Sequence, residues 1–204
     1  MTLKLENSSL ACKEFDLKFD NTVQSDSDSA LIHRSLQGDK EAFARLVIHY
    51  QQSIYALLYR WVQDRLTAEE MTQEVFLNAY RNLASFRGEA KFSTWLTQIA
   101  INRCRDFSRK KVRQIHSSEE TDINELATPS ETENQLVNYE QAQSLRRALE
   151  SLPTIYRETL HLRFLEEKSI TEIAVILSES HSNVKMRIAR GLAKLKDKWE
   201  KLKR

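Results

Sequence analysis

The sequence predicts an all-α protein built as two small helical domains joined by a flexible acidic linker, and three observations carry that expectation. Only three glycines (Gly38, Gly88, Gly191) and two prolines (Pro129, Pro153) occur in 204 residues, which leaves little material for tight hairpins or phosphate-cradling loops. Apolar residues make up 41% of the chain, enough to bury a core, and in the longest patterned segment they recur at three- and four-residue steps. The formal charge of +2 is a sum of blocks: seven basic residues against Asp106 between Lys91 and Arg113, nine against Asp197 and Glu200 between Ser182 and Arg204, and six acids with no Lys or Arg between Ser117 and Gln135. Two basic helices separated by an acidic stretch suggest two nucleic-acid contacts on one chain.

Residues 1–25 are polar and aperiodic and read as a flexible tail. The first domain is expected over 26–113, with order beginning near Asp28. A short helix, ALIHRSL, stops at Gly38, and Asp39 caps a longer one whose buried stripe is Phe43, Leu46, Val47, Ile54, Leu57 and Leu58. Thr67 and Glu70 have the spacing of a capping box and open a third helix. Periodicity breaks around Gly88, and Ser93 then caps a long helix running towards Arg113. The segment 114–130 is too hydrophilic to pack and reads as the linker.

The second domain, 131–204, is expected to open with another capping pattern, Ser130 to Glu133, followed by a helix through Leu136, Ala142, Leu145 and Leu149. Pro153 suits the first position of the next helix, where its missing N–H is no loss. Ser169 and Glu172 cap a short helix, EIAVIL. A polar turn from Ser178 to His181 leads into a last, basic helix, and short helix, tight turn, basic helix is the helix-turn-helix pattern.

Enzyme signatures are absent: there is no HExxH, Walker loop or GxSxG, and His33, His49, His116, His161 and His181 are scattered. Glu69, Glu70 and Glu74 line a carboxylate-rich helical edge that reads as solvated surface rather than catalytic groups. Cys12 and Cys104 lack any CxxC or His-rich neighbourhood, so neither a disulfide framework nor a metal site is expected, and Cys104 reads as a helix residue without redox function. No cofactor is implied. The N-terminus lacks a signal-peptide core and no apolar run approaches a membrane span, so the expected compartment is the cytoplasm.

On a helical wheel the last helix places Val184, Ile188, Leu192, Leu195 and Trp199 towards the core. The opposite face then holds Ser182, Asn183, Met186, Ala189 and Arg190, flanked by Lys185 and Arg187. Short side chains allow close approach, Met186 and Ala189 suit a thymine methyl, and Arg190 suits guanine, as major-groove reading requires. A solvated basic helix is the plainer alternative. In the helix from Ser93, Phe92, Leu96, Ile99 and Phe107 cluster as core, Trp95 is open between burial and base stacking, and Thr94, Gln98, Ile101 and Arg105 form the other side. That side and the loop from Phe86 to Lys91 combine cations with flat faces, as single-stranded nucleic acid needs.

The string TAEEMTQEVFLNAYRNLASFRGEAKFSTWLTQIAINRCRDFSRKK resembles the second conserved region of extracytoplasmic function sigma factors, in the sigma-70 family. LPTIYRETLHLRFLEEKSITEIAVILSESHSNVKMRIARGLAKLK resembles their fourth, and both halves occur in the family's order. The resemblance implies a non-enzymatic factor that brings core RNA polymerase to promoters and helps melt them. It implies that Glu70, Gln73, Glu74 and Asn78 lie against the clamp helices of the largest polymerase subunit, with the C-terminal lysines towards the flap. It further implies that Phe86, Arg87, Gly88, Lys91, Phe92, Ser93, Thr94, Trp95, Gln98, Asn102 and Arg105 hold the single-stranded minus-10 element. Ser182, Asn183, Lys185, Met186, Arg187, Ala189 and Arg190 would read the duplex minus-35 element, and an anti-sigma factor would be the control partner. The chain departs from the family in carrying Ser178 and Ser182 where a glycine or similarly small turn-former is common, so base-by-base reading stays open. Two other readings compete. A stand-alone helix-turn-helix repressor or activator needs a dimer seam that is not seen, and a helical protein adaptor leaves both basic helices unexplained.

Overall fold

The computed structural model describes residues 27–117 and 143–202, and among these every regular element is helical. The first half holds α1 (Asp28–Leu36), α2 (Lys40–Val62), α3 (Arg65–Arg81), a 3-10 turn (Leu83–Ser85) and α4 (Phe92–Ser117). The second holds α5 (residues 143–150), α6 (Thr154–Leu160), a π-helical turn (His161–Leu165), α7 (Ile170–Leu177) and α8 (His181–Leu202).

Local chemistry sets the boundaries. Asp39 accepts from the backbone N–H of Glu41 and Ala42 at 3.0 and 3.1 Å, taking up donors that the first turn of α2 leaves unpaired. Ser169 and Glu172 form the expected capping box on α7. Other starts differ from the sequence reading. α3 is capped by Asp64, which accepts from Thr67 N–H at 2.8 Å, so Thr67 lies inside the helix. α4 begins at Phe92, with the Lys91 carbonyl accepting from Thr94 and Trp95, which puts Ser93 within the first turn rather than at its cap. Pro153 is the cap of α6 and not its first residue. The pattern at Ser130 lies outside the described residues, as do the tail and most of the linker.

Helix α2 packs on α1, α3 and α4, α6 and α7 pack on α8, and α4 packs on α7. That last contact joins the halves. Leu46, Leu58, Met71, Val75, Leu96 and Ile101 belong to the same buried cluster as Leu162, Ile173, Ile176 and Val184. On α8 the inward seam differs from the wheel: Gly191 is buried and Leu192 is exposed. A Cβ at Gly191 would stand 3.3 Å from the Leu160 side chain, so glycine is what lets α8 lie close on α6.

Candidate nucleic-acid and polymerase interfaces

The start of α4 is built on rings. Phe86, Phe92 and Trp95 pack on one another with centroids 5.4 to 5.6 Å apart, and Tyr50 closes on Phe92 at 5.5 Å. Phe92 is buried, while Phe86 and Trp95 are partly buried against the core. The Trp95 ring belongs to a cluster that braces the loop and keeps part of its surface open to solvent. Gly88 in that loop has φ of +73°, a conformation that costs glycine little and other residues more. Arg87, Gly88 and Lys91 are exposed and Ser93 is partly so.

The far stripe of α4 faces protein. Thr94 and Ile101 are 2% and 1% exposed, and Gln98 Nε2 donates to Ser178 Oγ at 3.2 Å. Arg105 makes a two-pronged bond to Glu158 of α6, Nε to Oε2 at 2.7 Å and Nη2 to Oε1 at 2.8 Å. Its Nη1 also donates to Asn102, itself exposed, at 3.0 Å. The Glu158 side chain is 1% exposed. Such paired geometry is the strong form of a charge-assisted bond, and it raises the pKa of the guanidinium further. A second seam joins the halves beside it. There Arg60 pairs with Glu166, and Arg157 lies over the Trp61 ring at 4.5 Å and donates to Ser108.

Helix α8 presents the expected outer face. Ser182, Asn183, Lys185, Met186, Ala189 and Arg190 are all exposed. Arg187 is not part of that open face: it is drawn inward, its side chain 19% exposed, paired with Glu179 and 3.9 Å from Glu158. Asn183 also donates to Glu179, at 3.0 Å. The turn before α8 closes with Ser178 in the left-handed region, φ 55° and ψ 47°, so a serine here takes the conformation usually given to glycine.

On α3, Glu70, Gln73, Glu74 and Asn78 are exposed, with Glu74 paired to Arg103. The sequence reading missed their apolar neighbours. Leu66 and Leu77 are 70% and 55% exposed, and with Glu70 and Gln73 they follow the three- and four-residue steps of one face. That second periodic stripe, away from the buried Met71 and Val75, was the available signal. Apolar side chains rimmed by carboxylates and amides suit a protein partner.

Among the described residues no cluster of His, Cys, Asp or Glu is set to hold a metal, and no helix is long and apolar enough to cross a membrane. Cys104 is buried, which pushes its thiol pKa well up and leaves the reactive thiolate unpopulated.

Residues 46–114 match the family description Sigma-70 region 2, and residues 142–195 match Sigma-70, region 4. The chain is 34% identical over 184 residues to the ECF RNA polymerase sigma-E factor of Escherichia coli strain K12, covering 86% of this chain and 96% of that one. It is 36% identical over 163 residues to the ECF RNA polymerase sigma factor SigW of Bacillus subtilis, covering 76% and 87% of the two. A solved structure of the sigma factor RpoE of Bartonella quintana, in complex with the anti-sigma factor NepR, shares the fold at a TM-score of 0.59 and 21% identity, over 78% of this chain and 96% of that one. With two regions matched in order and relatives aligned over nearly their whole length, the chain belongs to the extracytoplasmic function sigma factors of RNA polymerase.

Proposed function

We propose that the chain works as an alternative sigma factor by dividing three tasks among three surfaces. The α3 stripe from Leu66 to Asn78 takes the polymerase clamp helices. The loop from Phe86 to Lys91, with the first turns of α4, takes the minus-10 strand, and the outer face of α8 reads the minus-35 duplex. The observation that carries this reading is the coexistence on one chain of an exposed α8 face behind a capped helix-turn-helix and an exposed apolar stripe on α3. A stand-alone repressor has use for the first and none for the second.

Melting on this scheme is done by binding energy. Unstacking a base costs a few kcal/mol, which contacts to the extruded base from the loop around Gly88 would offset without covalent chemistry. Arg87 and Lys91 supply phosphate contacts whose strength falls with salt. At the minus-35 element Arg190 takes a base edge, and Met186 and Ala189 give apolar contact, so DNA shape contributes alongside hydrogen bonds. The factor acts in the cytoplasm, carries out no covalent chemistry itself, needs no cofactor, and is held in check by an anti-sigma factor, as the family resemblance implies. The working domains are 26–113 and 131–204.

The test is to add the purified protein to bacterial core RNA polymerase, follow the complex by size-exclusion chromatography, and transcribe genomic fragments in vitro. Co-elution with factor-dependent transcripts is expected. Leu77→Asp and Glu74→Lys should each abolish or weaken co-elution while leaving duplex binding by α8 unchanged. Tight duplex binding by the protein alone, with no polymerase association, would instead favour the repressor.

A further inference from the structure

We propose that the cleft between the end of α2 and helices α5 and α6 is a binding site for a small phosphate-bearing molecule, held by Arg60, Arg146 and Arg157. The site stands or falls independently of the sigma reading, because it follows from one buried charge without a counterion and from the walls beside it.

Charges taken out of water are ordinarily paired, and Arg60, Arg105 and Arg187 each meet a carboxylate. Arg157 meets none within ion-pair distance among the described residues. Its Nη1 donates to the Glu150 backbone carbonyl at 3.3 Å, its Nη2 donates to Ser108 Oγ at 3.1 Å, and its flat face lies on the Trp61 ring. Ser108 Oγ already accepts from Trp61 Nε1 at 3.2 Å, and Arg157 Nε is buried with no partner. This half-buried guanidinium therefore has only neutral partners, and burial lowers its pKa. Arg157 lines a cleft of about 140 Å³ together with Arg60, Trp61 and Gln63 of α2, Arg146 and Leu149 of α5, and His161. Two carboxylates oppose part of the charge there. Arg60 pairs with Glu166, and Arg146 Nε stands 3.5 Å from Glu150 Oε1 while its Nη1 donates to Gln63. Three guanidiniums against two carboxylates leave the cleft positive, and His161 registers the excess: burial, then Arg157 and Arg60, push its pKa down to about 4.

Such a field selects an anion, and the walls select which one. The three planar forks reach the cleft from three different helices. A tetrahedral phosphate offers three terminal oxygens, one to each fork, where a carboxylate offers two. A volume of about 140 Å³ is room for roughly four or five waters, well below the pocket of a drug-sized ligand. It admits a phosphate with a short carbon skeleton lying against Leu149 and Leu165, and it excludes a nucleotide.

The experiment uses the full chain, with inorganic phosphate as the probe and sodium chloride at matched ionic strength as the control. The histidine signals are followed by NMR as pH is varied, and that of His161 is identified by its absence in His161→Phe. Phosphate should raise the His161 pKa by about one unit or more, as an opposite charge a few ångström away does. His33, His49 and His181 should titrate as they do in chloride. Arg146→Gln removes one fork at a position partly open to solvent, where the carboxylate it leaves behind, Glu150, is exposed and stays hydrated. By isothermal titration calorimetry it should bind phosphate about tenfold more weakly than wild type, the loss expected for one charge-assisted bond. The wild-type titration does not depend on that variant folding. An unmoved His161, or a response shared by all the histidines, would mean an adventitious ion only and would overturn the site. So would an Arg146→Gln protein that binds phosphate like wild type. A His161 that titrates near its ordinary value without phosphate would mean that a carboxylate of the chain already fills the cleft, and would overturn the site as well.

Discussion

His161 sits where the two halves meet, its ring 5.2 Å from that of Trp61. Burial, and then the charges of Arg157 on α6 and Arg60 on α2, push its pKa down to about 4. Arg60 is itself paired with Glu166, and Glu150 lines the same small cleft. Because the folded state holds this imidazole neutral while the unfolded chain titrates near 6.5, the unfolded state binds more protons between those values. Stability therefore falls as pH drops from about 6.5 towards 4, by at most about 1.4 kcal/mol per pH unit. Thermal denaturation followed by circular dichroism should give a lower Tm at pH 5 than at pH 7.5, and His161→Phe should flatten that difference. The carboxylates Asp39, Asp64, Glu172 and Glu179 have lowered pKa values and lose their contributions only at more acid pH. A second expectation separates two arginines that the sequence put in one set. Arg190→Ala should weaken duplex binding by about 1–3 kcal/mol and leave Tm unchanged, whereas Arg187→Ala should lower Tm, because Glu179 loses its paired cation and keeps only Asn183 as a partner. The wheel placed both arginines on or beside the reading face. What it lacked was Glu158, since an arginine's stem lets its head reach back to a buried acid on another helix.

Among the helices, those whose starts depend on one short-range signal were the most legible. Asp39 and Ser169 each begin their helices as the sequence implies, because no rival side chain stands nearby. α3 was misplaced because Thr67 and Glu70 have capping-box spacing, yet Asp64, three residues earlier, offers a charged acceptor and claims the Thr67 N–H first. α8 was harder to read. Its charge pattern leaves the angular position of the seam loose, so Leu192 looked buried and Gly191 passed unnoticed. Gly191 sits mid-helix, where glycine is unfavourable, and its close approach to Leu160 explains it. Gly191→Val should therefore cost about 1–3 kcal/mol, the usual price of overpacking, visible as a lower Tm. It should also tilt α8 on α6 and reduce duplex binding without changing core polymerase association through α3.

Docking of the halves against each other was not legible in the sequence. Arg105 and Glu158 lie 53 residues apart, and each belongs to a helix that is amphipathic in its own right. Periodicity identifies a polar stripe but not whether solvent, nucleic acid or another helix covers it. The packing of the halves on each other nevertheless leaves one surface untouched. Leu66 and Leu77 on α3 remain widely exposed while Thr94 and Ile101 of α4 are buried, so the stripe that we propose as the polymerase contact is available with the halves packed together. Leu77→Asp should accordingly weaken binding of the full chain to a clamp-helix fragment of the largest polymerase subunit by about tenfold, measured by fluorescence anisotropy, with Tm unchanged because Leu77 is exposed. Unaltered binding by Leu77→Asp would mean that this stripe is ordinary exposed surface and that the polymerase contact lies elsewhere on the chain.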